Sequence, residues 1–121
     1  ALKLYQTDKG LWRTIINDES SYEEISASCG IAAAMLDNGN PLHIKYVNKA
    51  LKGIQESITE DGRVINVSGG TAVMRDSEGY QLITKDWIQG WGQGLALSFL
   101  TAVLEKLDQK EDAVEEQFDQ E

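Results

Sequence analysis

The side chains that most often perform chemistry are scarce in this sequence. It contains one cysteine, Cys29, and one histidine, His43. A lone cysteine excludes an intrachain disulfide and a cysteine-rich zinc site, and a lone histidine excludes a histidine-rich metal site. A Ser-His-Asp triad would have to use His43, whose place in the first turn of a predicted helix indicates a solvent-facing residue instead. We therefore predict no metal site.

A group of polar side chains opens a predicted helix and could bind a ligand through hydrogen bonds. Tyr22, Glu24, Ser26 and Ser28 occupy every second position, and Glu24 and Ser28 share a helix face at i, i+4. One interpretation is a polar rim that contacts a ligand. The alternative is a capping box followed by small residues that permit close helix contact, and for Ser28 we favour this alternative.

A tryptophan between two glycines is the second candidate. Trp91 lies between Gly90 and Gly92, just before a predicted helix start. Its ring could stack on a ring-shaped ligand, and the free N–H groups at the helix start could meet a carboxylate. Equally, the glycines could let Trp91 wedge the helix tightly into the fold. Gln93 is well placed to reach a ligand, although a capping role would satisfy its amide as well.

These candidates depend on helices that the hydrophobic pattern predicts. A capping-box pattern at Ser20 or Ser21 predicts the start of a first helix, and Gly39 predicts its end. Pro41 is suited to the start of a second helix. Apolar residues recur at helical spacing in both: Ile25, Cys29, Ala32 and Leu36 in the first, and Ile44, Val47, Leu51, Ile54 and Ile58 in the second.

The remaining chain is predicted as a long loop and a third helix. Asp61 and Gly62 indicate a turn, and the residues after it predict short β segments in a loop over 62–86, with a simple turn at 76–80. The third helix is predicted from about 92–94 to 107 and is apolar on most of its circumference, which is typical of a helix inside a larger body. Residues 1–6 resemble the last turns of a cut helix. The sequence thus predicts an all-α fold.

Composition and charge limit the classes of partner. The 121 residues are 41% hydrophobic and 26% charged, which fits one globular core and leaves no room for a second domain. The formal net charge of −9 has the wrong sign for binding nucleic acid or an anionic membrane. No apolar run is long enough to span a bilayer and no signal peptide is recognisable, so we expect a cytoplasmic location.

The negative charge is concentrated at the C-terminus. Between positions 105 and 121 there are eight acidic and two basic residues. We therefore divide the chain into a helical portion, 1–107, and an acidic tail, 108–121, that is expected to be exposed and fraying.

Four sequence elements occur in one order along the helical portion. They are Gly10-Leu11-Trp12, the Tyr-x-Glu-x-Ser-x-Ser pattern over 22–28, the Asp-Gly-Arg-Val turn over 61–64 with Gly70-Thr71, and the run Gly-Trp-Gly-Gln-Gly-Leu-Ala-Leu over 90–97. Together they resemble the unsaturated uronyl hydrolases, glycoside hydrolase families 105 and 88. The similarity covers residues 1 to about 107 and corresponds to the C-terminal part of the family's domain.

The resemblance implies a fold and a reaction. The fold would be part of an (α/α)6 toroid of six helical hairpins, with this chain supplying the last hairpins and a substrate-side loop. The family hydrates the vinyl ether double bond of an unsaturated uronate at the non-reducing end of lyase-generated oligosaccharides. Tyr-x-Glu-x-Ser resembles the rhamnogalacturonan group more closely than the glycosaminoglycan group.

The resemblance also concerns catalysis. Members use a single Asp as general acid and base, without a metal or cofactor, so we expect neither here. That Asp belongs to the N-terminal half of the domain, and no segment of this chain matches it. We therefore assign no catalytic residue and expect no independent activity.

On this basis the candidate substrate-binding residues are those of the polar rim and the loops near it: Trp12, Tyr22, Glu24, Ser26, Trp91 and Gln93. Trp12 either lines the pocket or anchors its loop. Asp18 is more simply an exposed loop carboxylate. An anionic uronate also needs a cation, and the loops offer four: Arg13, Arg63, Arg75 and Lys85.

Two other functions fit the same residues. The chain could be a non-catalytic helical module that binds carbohydrate or another protein, or a fragment of a different hydrolase that shares the toroid. If it is one part of a toroid, the isolated chain should expose apolar surface and self-associate.

Overall fold

A computed structural model describes residues 1–119, and within them the chain is almost entirely helical or irregular. The α-helices are α1 (Ile25–Asn38), α2 (Ile44–Glu56), α3 (Ser77–Gln81) and α4 (Gly90–Asp119). Two short 3-10 helices, Leu2–Tyr5 and Pro41–His43, precede α1 and α2. The first of these replaces the α-helical end that was predicted for residues 1–6.

Helix α1 begins later than its sequence pattern predicted. The carboxylate of Glu24, not a serine hydroxyl, caps the helix by accepting a hydrogen bond from the Ala27 N–H at 2.6 Å. Ser21 is unavailable as a cap because its Oγ accepts a hydrogen bond from the Ile15 N–H within the preceding loop. The predicted end is correct, since Gly39 takes a left-handed conformation with φ 74° and its N–H binds the Leu36 carbonyl.

Helix α2 packs closely against the backbone of the loop at residues 9–10, and glycines allow this contact. The apolar stripe of α2 did not predict it. A Cβ at Gly53 would lie 2.2 Å from the Lys9 carbonyl oxygen, and one at Gly10 would lie 2.1 Å from the Lys49 carbonyl oxygen. Both contacts therefore require glycine. They turn the Ala50 and Gly53 side of α2 inward, whereas Ile44, at the start of the predicted stripe, stays 45% exposed.

The core lies where α1 packs against both α2 and α4. Its largest fully buried side chains come from the three helices and from two loops. They include Ile25 of α1, Ile54 of α2, Phe99 of α4, and the loop residues Trp12 and Val67. Close packing of this kind fixes the loops that carry Trp12 and Val67 as firmly as the helices.

Helix α4 differs from its prediction at both ends. It begins at Gly90 and continues as one helix to Asp119, through the position where the helical portion was expected to end and through most of the acidic tail. Ala96 and Phe99 are buried, but Leu97 and Leu104 are 68% and 61% exposed. In this chain the apolar circumference of the helix is thus only partly covered.

The long loop contains less regular structure than predicted. Within residues 1–119 no strand forms, and the predicted β segments of 62–86 reduce to one isolated bridge between Ile58 and Val64. The turn predicted at 76–80 is the one-turn helix α3, capped by Asp76 through the Gly79 N–H. Elsewhere in this loop, backbone N–H groups donate hydrogen bonds to other parts of the chain: Val64 to Gln93, Ser68 to Glu24 and Gly69 to Thr84.

Candidate functional site

A short irregular segment, residues 66–69, joins the start of α1 to the loop before α4. We call it the junction segment. The Asn66 carbonyl accepts a hydrogen bond from the Ile25 N–H at 3.1 Å, and the Gly69 N–H donates to the Thr84 carbonyl at 2.7 Å. Asn66 adopts a left-handed φ of 58°, which asparagine tolerates better than most residues. The junction segment thus connects the polar rim at the start of α1 with the loop that precedes α4, two parts of the chain that are distant in sequence.

Glu24 holds the junction segment in place. Its Oε1 accepts hydrogen bonds from the Ser68 N–H at 2.9 Å and from the Ser26 hydroxyl at 2.8 Å, while Oε2 accepts from the Ala27 N–H. The residue is only 4% exposed. Since its acceptors are already used inside the chain, the geometry favours the capping interpretation of Glu24 and Ser26 over direct contact with a ligand.

Trp12 is part of the core. Its side chain is completely buried and its indole N–H donates to the Leu2 carbonyl at 2.8 Å. The Trp12 backbone pairs with the start of α1, because its N–H donates to the Ser28 hydroxyl and its carbonyl accepts from the Glu24 N–H. A ligand has no access to this ring, and the geometry favours the anchoring interpretation. Ser28 is likewise buried, in agreement with the packing role we favoured.

Tyr22 carries a different set of contacts. Its hydroxyl lies 2.6 Å from the Ser68 Oγ, which is also 3.4 Å from the Thr14 Oγ1. The Lys85 ammonium sits over the Tyr22 ring at 4.3 Å from its centre. All four side chains are half-buried, so the group retains solvent access. We call these four residues the hydroxyl–lysine cluster: Thr14, Tyr22, Ser68 and Lys85.

Trp91 lies in the first turn of α4 and is presented to solvent. It is 49% exposed, and Trp87 and Ile88, just before α4, are 69% and 44% exposed. The next residue, Gly92, is buried, and a Cβ there would lie 2.6 Å from a Val67 methyl group. Glycine at 92 thus lets α4 approach the junction segment while Trp91 faces outward. An exposed indole can stack on a sugar ring.

Gln93 has an internal role. Its Oε1 accepts a hydrogen bond from the Val64 N–H at 2.5 Å, and its Nε2 donates to the Gly62 carbonyl at 2.9 Å. The amide therefore fixes the 61–64 turn against α4, which differs from both the ligand contact and the helix cap that the sequence suggested.

The titratable groups provide little acid–base chemistry. Burial, with a smaller contribution from the Glu24 charge, raises the pKa of the Cys29 thiol to about 12, so it stays protonated and unreactive. Hydrogen bonds from Ser20 lower the pKa of the exposed Asp18 carboxyl, and those from Thr59 and Arg63 lower the pKa of Asp61. Among the residues described, no three His, Cys, Asp or Glu side chains are grouped so as to hold a metal ion. The arrangement is suited to binding.

Comparison with known proteins identifies the family. Residues 1–107 match the model of Glycosyl Hydrolase Family 88. The chain belongs to this family. It is 54% identical over 104 residues to the unsaturated rhamnogalacturonyl hydrolase YesR of Bacillus subtilis, a match that covers 86% of this chain and 30% of the relative. The resemblance drawn from the four sequence elements is confirmed.

Two crystal structures have the same fold as this chain over the matched residues. They come from Salmonella enterica serovar Paratyphi A and Klebsiella pneumoniae, and each is described as a possible member of the GH105 family. Their TM-scores are 0.84 and 0.83 at 30% and 32% identity, and each match covers 88% of this chain and 29% of the other. The predicted fold class, all-α and part of an (α/α)6 toroid, is confirmed.

The chain spans about 30% of the length of the relatives it matches. None of the helices described is both long and apolar enough to cross a membrane.

Sequence reasoning missed one residue that organises the site. Ser68 meets Glu24 through its backbone and Tyr22 through its hydroxyl. The signal in the sequence was the pair of glycines directly after it, Gly69 and Gly70. In the structure the backbone at Gly69 approaches Thr84 closely, since a Cβ there would lie 3.1 Å from the Thr84 side chain. The two glycines indicated a close approach of the backbone to another segment, but they did not indicate which residues Ser68 would contact.

Proposed function

We propose that this chain forms part of a glycosyl hydrolase that releases unsaturated uronic acid from pectin-derived, rhamnogalacturonan-type oligosaccharides. The observation that carries the proposal is the 54% identity to a protein named as an unsaturated rhamnogalacturonyl hydrolase. The half-exposed Trp91 and Tyr22 support it, because aromatic rings next to hydroxyl groups are suited to a sugar.

In the proposed reaction water adds across the vinyl ether double bond of the terminal uronate, and the resulting hemiketal rearranges to release the sugar. The general acid and base is an Asp outside this chain. The residues of this chain bind and orient the substrate: Trp91 stacks on a sugar ring, and the Tyr22 hydroxyl, held by Ser68, hydrogen-bonds a sugar hydroxyl. Binding groups of this kind accelerate the reaction by holding the reacting bond near the acid.

A chimera tests the proposal. Residues 1–107 replace the matching stretch of the Bacillus subtilis relative, and turnover of an unsaturated galacturonyl-rhamnose disaccharide is followed by the loss of vinyl ether absorbance. We expect the chimera to be active and the 121-residue chain alone to be inactive. Turnover by the isolated chain would contradict our placement of the acid, and a folded chimera that neither binds nor turns over the disaccharide would contradict the proposed substrate class.

Substitutions in the chimera test the stacking role. Trp91→Ala is expected to raise KM roughly five- to tenfold, the size of one lost aromatic contact, and Trp91→Phe is expected to retain most of the affinity. An unchanged KM in Trp91→Ala would show that Trp91 serves packing instead.

The second candidate is a non-catalytic helical module that binds carbohydrate or another protein. It is favoured by the exposed apolar residues of α4, such as Leu97 and Leu104. A chimera that folds and binds the disaccharide without turning it over would support this alternative over the hydrolase.

A further inference from the structure

The four loop cations that could meet an anionic sugar differ in their surroundings. Arg63 forms an ion pair with Asp61 at 3.1 Å, the one ion pair among the side chains described for residues 1–117. The Arg13 charge acts on the Asp18 carboxyl and helps to lower its pKa. Arg75 is exposed in the loop before α3. Lys85 is half-buried, as Arg13 is, but it alone of the four is placed against an aromatic ring in the part of the chain that the structure describes.

The backbone around Lys85 is firmly held. The carbonyl of its neighbour Thr84 accepts a hydrogen bond from the Gly69 N–H, and the junction segment is in turn fixed by Glu24 through the Ser68 N–H. The ammonium group is held over the Tyr22 ring, 63 positions away in sequence. Two anchored segments thus define the position of the charge, which reduces the entropy lost when a ligand binds it.

The aromatic ring beneath the ammonium group ends in a hydroxyl, a hydrogen-bond donor that suits a carboxylate. The Tyr22 hydroxyl and the Ser68 Oγ are 2.6 Å apart and attached to the same anchored segments. In the part of the chain that the structure describes, no Asp or Glu carboxylate lies within 4.0 Å of the Lys85 Nζ. An ammonium without a carboxylate partner, on a half-buried side chain and over a ring whose hydroxyl meets a second hydroxyl, attracts an external anion.

The geometry points to Lys85 as the residue that binds the sugar carboxylate, with the Tyr22 and Ser68 hydroxyls as its neighbours in the same subsite. This inference rests on the proposed function, since it names the contact by which the site distinguishes an acidic sugar from a neutral one. Lys85 supplies the positive charge, and the Tyr22 ring positions its ammonium group. Ser68 connects Tyr22 to Glu24, through its hydroxyl on one side and its backbone N–H on the other. A neutral sugar would leave the ammonium unpaired.

Chemical-shift titration of the 121-residue chain tests the inference. The two probes are the unsaturated galacturonyl-rhamnose disaccharide and its methyl ester, which removes the negative charge and keeps the sugar. We expect the acid to bind roughly tenfold or more tightly than the ester, because a hydrogen bond to a charged group is lost with the ester. Raising the salt concentration is expected to weaken binding of the acid only.

Variants locate the contact. Lys85→Met keeps the aliphatic stem and removes the charge, and it is expected to bind the acid as weakly as the ester. Lys85→Arg keeps the charge and is expected to retain most of the affinity. Lys52→Met, an equally charge-neutralising change on the exposed side of α2, is the matched control and should bind both probes as the unmodified chain does. Far-UV circular dichroism checks that each variant is folded.

The outcomes separate this inference from the proposed function. Equal affinity for acid and ester, or full affinity for the acid in Lys85→Met, overturns the role of Lys85 and leaves sugar binding intact. Equal weakening of both probes in Lys85→Met assigns Lys85 to packing and also overturns it. Failure of the unmodified chain to bind either probe counts against the proposed function, and the inference falls with it.

Discussion

Two buried side chains at the start of α1 show how this chain uses chemically reactive groups for structure. Glu24 is a carboxylate with its oxygens filled by N–H and hydroxyl donors, and Cys29 is a fully buried thiol whose pKa is raised by burial and by the Glu24 charge. Neither group is available to a ligand. The residues that are available, Tyr22 and Trp91, are aromatic and keep part of their rings in solvent.

The raised pKa of Cys29 predicts alkaline destabilisation. The thiol ionises near its ordinary value of 9.0 in the unfolded chain but only at about 12 in the folded one. Its contribution to stability is therefore complete below pH 9 and is lost as the pH rises towards 12, by at most about 1.4 kcal/mol per pH unit. Denaturant unfolding at a series of pH values measures this loss.

Cys29→Ala is the comparison for this measurement. The variant is less stable at neutral pH because it leaves a small cavity, but the free energy of unfolding should fall less steeply above pH 9 than in the unmodified chain. Equal slopes for the two proteins would contradict the raised pKa. Reaction of the folded chain with a thiol reagent at neutral pH would contradict it as well.

At the scale of elements, the chain is held together by close contacts between helices and loops. Glycines permit the closest of them: Gly53 against Lys9, Gly10 against Lys49, and Gly92 against Val67. Hydrogen bonds from the caps then fix the loops, as Glu24 fixes the junction segment. The position of each loop is therefore determined by the helix end beside it.

Gly92→Ala is expected to destabilise the chain through this packing. The new Cβ would lie 2.6 Å from a Val67 methyl group, and overpacking of this kind costs about 1–3 kcal/mol, which exceeds the gain of about 1 kcal/mol in helix propensity. Gly94→Ala is the matched control, because nothing lies within 4 Å of its Cβ, and it should be neutral or stabilising. Chemical denaturation measures both.

A second substitution checks the cause of this effect. Val67→Ala removes the methyl groups that the new Cβ would meet, so Gly92→Ala should cost less in that background than in the unmodified chain. Additive effects of the two changes would show that Gly92 is constrained by something else.

Glu24→Ala is expected to lower the free energy of unfolding by about 1–3 kcal/mol, because it removes the cap of α1 and leaves the Ser68 N–H without its acceptor. Glu19→Ala, at an exposed carboxylate of the preceding loop, is the control and should be nearly neutral. If both variants were equally stable, the hydrogen bonds of Glu24 would contribute nothing to the fold.

At the scale of the whole molecule, α4 carries an apolar stripe that nothing in the described structure covers. Leu97, Leu104, Leu107 and Val114 are each at least half exposed and are spaced by seven or three residues, so they share one face of the helix. A contiguous apolar face of this length is rarely left in water. The partial length of the chain relative to its family agrees with this unpartnered face.

The isolated 121-residue chain is therefore expected to self-associate. Sedimentation velocity should show species larger than the monomer mass of 13.4 kDa that increase with concentration. Leu104→Glu places a charge on the stripe and should shift the distribution towards monomer, whereas Ser98→Glu adds the same charge away from it and should not. A monodisperse monomer for the unmodified chain would contradict this prediction.

The sequence by itself determined the family, the all-α class and several helix ends. The motifs over 10–12, 22–28 and 90–97 are local strings, and Gly39 ends α1 through its own backbone preference, so none of them required knowledge of the fold. Local signals also misled. The serine cap at position 20 or 21 did not form, because the Ser21 hydroxyl accepts a hydrogen bond from the Ile15 N–H in the preceding loop. The β segments of 62–86 did not form either, and backbone N–H groups there donate to distant side chains, Val64 to Gln93 and Ser68 to Glu24.

Only the tertiary structure decided which candidates face a ligand. Trp12 and Trp91 both belong to glycine-containing motifs in the sequence, yet one is fully buried and the other is half exposed. Lys85 was one of four equivalent loop cations until the junction segment placed it over Tyr22. The physical reason is that exposure and pairing depend on contacts between residues far apart in the chain, and a local pattern does not specify those contacts.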